Sequence, residues 1–257
     1  MLVKLMAFQI EQMKSWDLLR AYFQSGEVDM AYVMSTLAMD MYREKSHFRW
    51  IGLMHRDGNA LAIAVPPPKA LAFIKARRNR ARPAAFEQFL PWADLVETGG
   101  YGHVAWYSKD VMLWPNCHVD CIALATAKAI KHRFSAVKEV MIYVRRAGED
   151  IEKARKVGDK KLESIVRVVR KHIPAHTCSP IIASLDPKLR VVNYQPLNID
   201  KDGLKQIMDL EVEGGILKQG IDIDTFSDTH FSIAIPQQKS KAKQQQYTNC
   251  IGVKQGD

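Results

Sequence analysis

Short apolar runs of strand length alternate with stretches of helical periodicity along most of the chain, and this alternation constrains the fold more than any other feature. Residues 28–34, 48–54, 60–65, 103–107 and 121–125 read as strands, as do residues 2–8. Between the first of these, residues 15–24 turn helical. Ser15 is placed as the N-cap, Trp16, Leu19, Ala21 and Phe23 supply an apolar face, and Gly26 stops the helix. Residues 37–44 repeat the pattern, Pro91-Trp92 opens a further helix, and Gly99 to Gly102 read as a loop. The C-terminal third is mostly helical. Val137, Val140, Met141, Val144, Ala147, Ile151 and Ala154 recur at helical spacing, then Leu162, Ile165, Val166, Val169 and Ile173. Residues 201–213 form one more helix, closing at Gly214-Gly215, and from residue 237 a Gln/Lys-rich stretch without periodicity reads as a flexible tail. The class is α/β.

With 257 residues, 47% of them hydrophobic, the chain can bury a core as one or two domains. The 37 basic against 28 acidic residues give a formal charge of +9, which favours small anions, membrane surfaces or nucleic acid. Six basic residues without an acid stand between positions 69 and 82, but Leu71, Phe73 and Ile74 are interleaved with them. That pattern describes an amphipathic helix with a solvated basic face, so nucleic acid is not an expected partner. No segment is long and apolar enough to span a membrane, and the apolar start is too short for an export signal.

Cys117, Cys121, Cys178 and Cys250 form no paired CxxC set, so neither a metal centre nor a disulfide scaffold is expected. Cys117-His118-Val119-Asp120-Cys121 reads as a buried strand entry. His55-Arg56-Asp57 invites a proton-transfer role, but neighbours on a strand point to opposite faces and no nucleophile accompanies them. No catalytic residue and no cofactor are expected. Ser35 and Thr36 stand where a strand ends and a helix begins, the place at which open α/β sheets bind ligands on free helix N–H groups. The alternative is that either residue merely caps its helix. The polar run from His55 to Asn59, between two strands, suits a crossover between lobes.

The runs Ser15-Trp16-Asp17-Leu18-Leu19, Ser25 to Val33, Gly52 to Leu61, Pro66-Pro67-Pro68, Leu90-Pro91-Trp92-Ala93, Gly99 to Gly102, Leu113-Trp114-Pro115-Asn116 and Thr225-Phe226-Ser227-Asp228 together resemble the substrate-binding proteins of nitrate/sulfonate/bicarbonate-type ABC importers. The resemblance covers most of residues 1–230. It implies a two-lobed, periplasmic-binding-protein-like (type II) fold, with lobe one at residues 1–61 and 118–235, lobe two at 62–117 and a tail at 236–257. Compared with that family the start is shortened and a strand–helix–strand unit is missing between Ala62 and Val65, so the second lobe is expected to be reduced and ligand binding weak. The resemblance further implies a small anion or small organic ligand, an ABC transporter permease as partner, and a periplasmic or extracytoplasmic location. Trp16, Ser35 and Thr36 would face the ligand from the first lobe, Asn59 would lie by the hinge and Trp92 would face the cleft from the second. For both tryptophans core packing is the alternative. Two other roles stay open: a cytoplasmic small-molecule sensor or basic nucleic-acid-contacting module, and a pyrimidine precursor synthase-like enzyme. The last would use a clustered cysteine motif and a cofactor-bound lysine, and the chain has no such cysteine cluster.

Overall fold

The computed structural model of the protein describes residues 9–64, 85–112, 114, 116–174 and 176–232. The expected strand at 2–8, the prolines at 66–68, the basic stretch at 69–82 and the tail lie outside these residues. Two compact units divide the described residues: 9–54, 121–146 and 197–232 form unit 1, while those within 55–120 and 147–196 form unit 2.

Unit 1 is built on a three-stranded sheet. Its middle strand, Cys121–Thr126, is flanked on one side by Met30–Met34 and on the other by Phe48–Leu53; the three are β7, β1 and β2, with β3 to β6 lying in unit 2. Residues 122–126 are all buried, as a central strand covered on both faces requires. In β1, buried Ala31 and Val33 alternate with half-buried neighbours. Both outer strands run antiparallel to β7, so β1 and β2 run parallel to each other, with a bulge between Trp50 and Gly52. One side of the sheet is filled by Ile51, Ala123, Ala125, Ala129, Val137, Met141 and Phe231. A second set is aromatic. The Phe226 ring lies 4.6 Å from Tyr42, 6.2 Å from Phe48 and 6.1 Å from Trp50, and Phe23 meets Phe48 edge-on at 5.1 Å. The segment holding Phe226 is fixed beside β2 because Asp228 donates its N–H to the Trp50 carbonyl at 2.8 Å.

The helices form where the sequence signals stand. Helix α1 is Trp16–Ser25. The Ser15 hydroxyl accepts the Leu18 N–H at 3.2 Å, and Gly26 closes the helix at φ 80°, a left-handed conformation that glycine adopts without steric cost. Helix α2, Ser35–Glu44, starts directly at the end of β1.

Unit 2 contains a three-stranded antiparallel sheet, β5 (Ala85–Phe89), β4 (Asn59–Ala64) and β6 (Gly102–Tyr107), in that order. A two-residue pairing joins β3 (Arg56–Asp57) to β8 (Val192–Asn193). Helix α3 is Trp92–Thr98 and α4 is the single turn Ser108–Val111. The long helix Ala127–Val157, α5, is interrupted at Arg133, contributes its start to unit 1 and its end to unit 2, and is followed by α6 (Asp159–His172) and α7 (Cys178–Ser184).

These boundaries differ from the expected ones. The chain leaves unit 1 after Met54 instead of Leu61 and returns at Cys121 instead of His118, and residues 147–196, assigned above to lobe one, belong to unit 2. The cause is packing that no local pattern records. Ala154, Leu162, Val166, Ile181 and Leu185, from α5, α6 and α7, bury one another, and α7 also packs on α3. The second unit is therefore not confined to residues 62–117.

Phe226→Ala should lower unfolding stability by about 3–5 kcal/mol, because a fully buried ring packed among three aromatics is lost and the cavity collapses only partly. Denaturant titration of the variant checks this.

Candidate ligand-binding edge

The parallel β1 and β2 end at the same edge of the unit 1 sheet. Met34 is in register with Cys121 there and Leu53 with Ile122, and the Met54 N–H donates to the Cys121 carbonyl at 2.9 Å. Helix α2 opens at this edge with Ser35, which is buried, and Thr36, which is half-buried. Met34 precedes the helix in an extended conformation and provides no side-chain acceptor, and the first turn carries no acidic residue.

The other long helices that begin in unit 1 are finished differently. Ser15 caps α1. Thr126 Oγ1 accepts the Ala129 N–H of α5 at 3.1 Å. Asp200 accepts the Gly203 N–H of α8 (Lys201–Glu213) at 2.9 Å. Among the described helices of this unit longer than two turns, α2 alone starts without a side-chain cap. Its backbone donors and the positive end of its dipole lie at the carboxyl edge of the sheet, an arrangement suited to an anion.

Trp16 belongs to this end as well. Arg20 of α1 pairs with Asp40 of α2 at 3.2 Å and also with Glu44, while Gln24 donates to Glu44 at 3.3 Å. The two helices thus run the same way, and one turn back toward their N-termini from Arg20 and Asp40 stand Trp16 and Thr36. Trp16 is 38% exposed, so its ring is not consumed by the core.

The two remaining sequence candidates lie in unit 2. Asn59, half-buried, opens β4 opposite Phe89. Trp92 opens α3, where its ring meets that of His176 at 4.6 Å, edge to face. Packing within the unit, which was the alternative for this tryptophan, accounts for that contact.

Unit 2 also holds buried polar groups outside the candidate ligand set, among them two of the His55-Arg56-Asp57 run. Arg56 is 2% exposed and donates Nε to the Pro196 carbonyl and Nη1 to the Asn116 carbonyl, both at 2.9 Å. Asp57, fully buried and at φ 55°, accepts the His118 N–H at 2.9 Å on one oxygen and the Asn193 amide at 3.0 Å on the other. Burial pushes its carboxyl up to about 6 in spite of both hydrogen bonds. His55, half-buried, places Nδ1 3.0 Å from the Asp57 carbonyl and 3.8 Å from Asp120, so it and Arg56 do take opposite environments. Asp94 in the first turn of α3 accepts the Tyr107 hydroxyl at 3.3 Å on one oxygen, while its other oxygen is buried without a partner. Desolvation raises its carboxyl to about 7. An Asp-Gly pair at 57–58 was the one available signal of a turn here; nothing local marks Asp94 or Asn193 as buried.

No family model and no curated protein sequence matches the chain. Solved structures do resemble it. A Staphylococcus aureus ligand-binding component of an ABC-type import system, with zinc bound, is 14% identical over 85% of this chain and 84% of its own, with a TM-score of 0.67. The periplasmic nitrate-binding protein NrtA of Synechocystis PCC 6803 is 12% identical over 84% and 75%, with a TM-score of 0.62. The Candida albicans CA3427 gene product, described as having the generic periplasmic binding protein fold, is 10% identical over 83% of each chain at 0.55. The chain has the periplasmic-binding-protein fold, as the resemblance in its sequence implied. Among the described residues no helix is long and apolar enough to cross a membrane.

Asp94 generates a pH prediction. Its folded pKa lies above the unfolded value, so its contribution to stability is fully present below about pH 4 and is lost as pH rises through about 7. Thermal melts of the wild type should therefore fall as pH rises from 5 to 8 by an amount that Asp94→Asn reduces by on the order of 2–4 kcal/mol, the span of a two- to three-unit shift.

Proposed function

We propose that the protein is the substrate-binding component of an ABC importer, that it takes a small anion, and that α2 receives that anion at its N-terminus. The observation that carries the reading is the start of α2, which alone among the described long helices of unit 1 has no side-chain cap and opens with Ser35 and Thr36 at the carboxyl edge of the sheet. Trp16, one turn from the Arg20–Asp40 pair at the same end, adds an aromatic wall, and the formal charge of +9 favours a negative ligand. Importer components for nitrate and for aliphatic sulfonates are among the solved structures that share the fold, which supports this ligand class. Units 1 and 2 would be the two lobes of such a protein. The role is binding without turnover. It implies a transporter permease as partner and an extracytoplasmic location.

The test is titration of the purified protein with nitrate, bicarbonate and alkanesulfonates while tryptophan fluorescence is followed. Saturable binding of at least one is expected. Thr36→Asp should weaken it by at least about 10-fold while leaving thermal stability unchanged or higher, since an acidic side chain in a first helical turn favours the helix by about 0.3–1 kcal/mol but repels an anion. A variant that binds like the wild type, or a protein that responds to none of these anions, would overturn the reading.

A further inference from the structure

Among the described residues, one helix face carries a cluster of basic side chains that the ligand-binding reading leaves unused. Helix α6 buries Leu162 and Val166 and half-buries Ile165 and Val169 against α5 and α7. At about 100° per residue, the opposite side presents Arg167, Lys160, Lys171, Ser164, Val168 and Lys161 in that order across about 120°. The four basic residues of that sector are exposed, no acidic residue falls within it, and among the described residues none of the four takes part in an ion pair. Glu163 lies outside the sector, between Arg167 and Arg170 around the helix.

A solvated face would account for the charges alone. It does not account for Val168, which is 59% exposed between Ser164 and Lys161 of that sector. Against a phosphate groove this side chain would meet only charge and water. At a lipid headgroup boundary it leaves water while the cations meet anionic headgroups. We infer that the exposed face of α6 is a docking surface for an anionic lipid membrane, which the protein meets peripherally, with Lys160, Lys161, Arg167 and Lys171 on the headgroups and Val168 pressed between them. This does not rest on the ligand reading, because no residue of α2 or its edge takes part.

The experiment is co-sedimentation of the full chain with vesicles of phosphatidylcholine alone and of phosphatidylcholine with phosphatidylglycerol, at low and physiological ionic strength. Binding to the anionic vesicles only, weakened by salt, is expected. Lys160→Glu, Arg167→Glu and Lys171→Glu should each weaken it about 5-fold and together by at least about 30-fold. Val168→Gln should weaken it a further few-fold, which a purely electrostatic contact would not show. The single variants replace exposed side chains, so retained far-UV circular dichroism and melting separate loss of docking from loss of fold. The inference is overturned if the charge reversals bind as the wild type does. It is overturned equally if binding follows reversal of the basic residues at 69–82 instead, or if the wild type binds duplex DNA but no anionic vesicle at matched salt.

Discussion

Removing Arg56 and Asp57 from water is costly, and the chain path of unit 2 depends on how that cost is offset. A guanidinium and a carboxylate, adjacent in sequence, are buried together, and each must find partners or destabilise the fold by several kcal/mol. They find them on different passages of the chain. Arg56 takes carbonyls at Asn116 and Pro196, and Asp57 takes the His118 N–H and the Asn193 side chain. Those partners lie just before the chain returns to unit 1, at Cys121 and again at Leu197. Three connecting segments are therefore tied at one point inside unit 2.

What the knot does for the connections, β7 does for unit 1. A strand buried on both faces can pair on both edges, and pairing antiparallel to each neighbour makes β1 and β2 parallel although neither touches the other. Their ends then coincide, and a helix that starts where β1 stops is aimed at that common edge. The missing cap on α2 acquires meaning only in this setting. At the opposite edge, where β7 runs into α5, Thr126 already satisfies an N–H of the first turn.

Much of this was legible in the sequence, for a physical reason. The helix at 201–213, the capped start at Ser15 and the strand at Phe48 are set by periodicity and by side chains acting within a turn, so a few residues suffice to specify them. Ser35 and Thr36 could be placed at a strand end on the same basis. The assignment of residues 147–196 could not, because it depends on which distant faces Leu162, Val166 and Ile181 meet, and an apolar stripe carries no address. Trp92 shows the same limit: its position at a helix start was readable, whereas its contact with His176 joins residues far apart in the chain.

Buried acids also change what the formal charge means. Asp94 and Glu211 are both held near 7 by desolvation, with Asp40 adding to the effect on Glu211. At neutral pH each is therefore about half protonated, and the molecule is more positive than its formal +9. As pH falls from 8 toward 6 both groups take up protons while the carboxylates on the surface remain ionised, so the net charge becomes more positive.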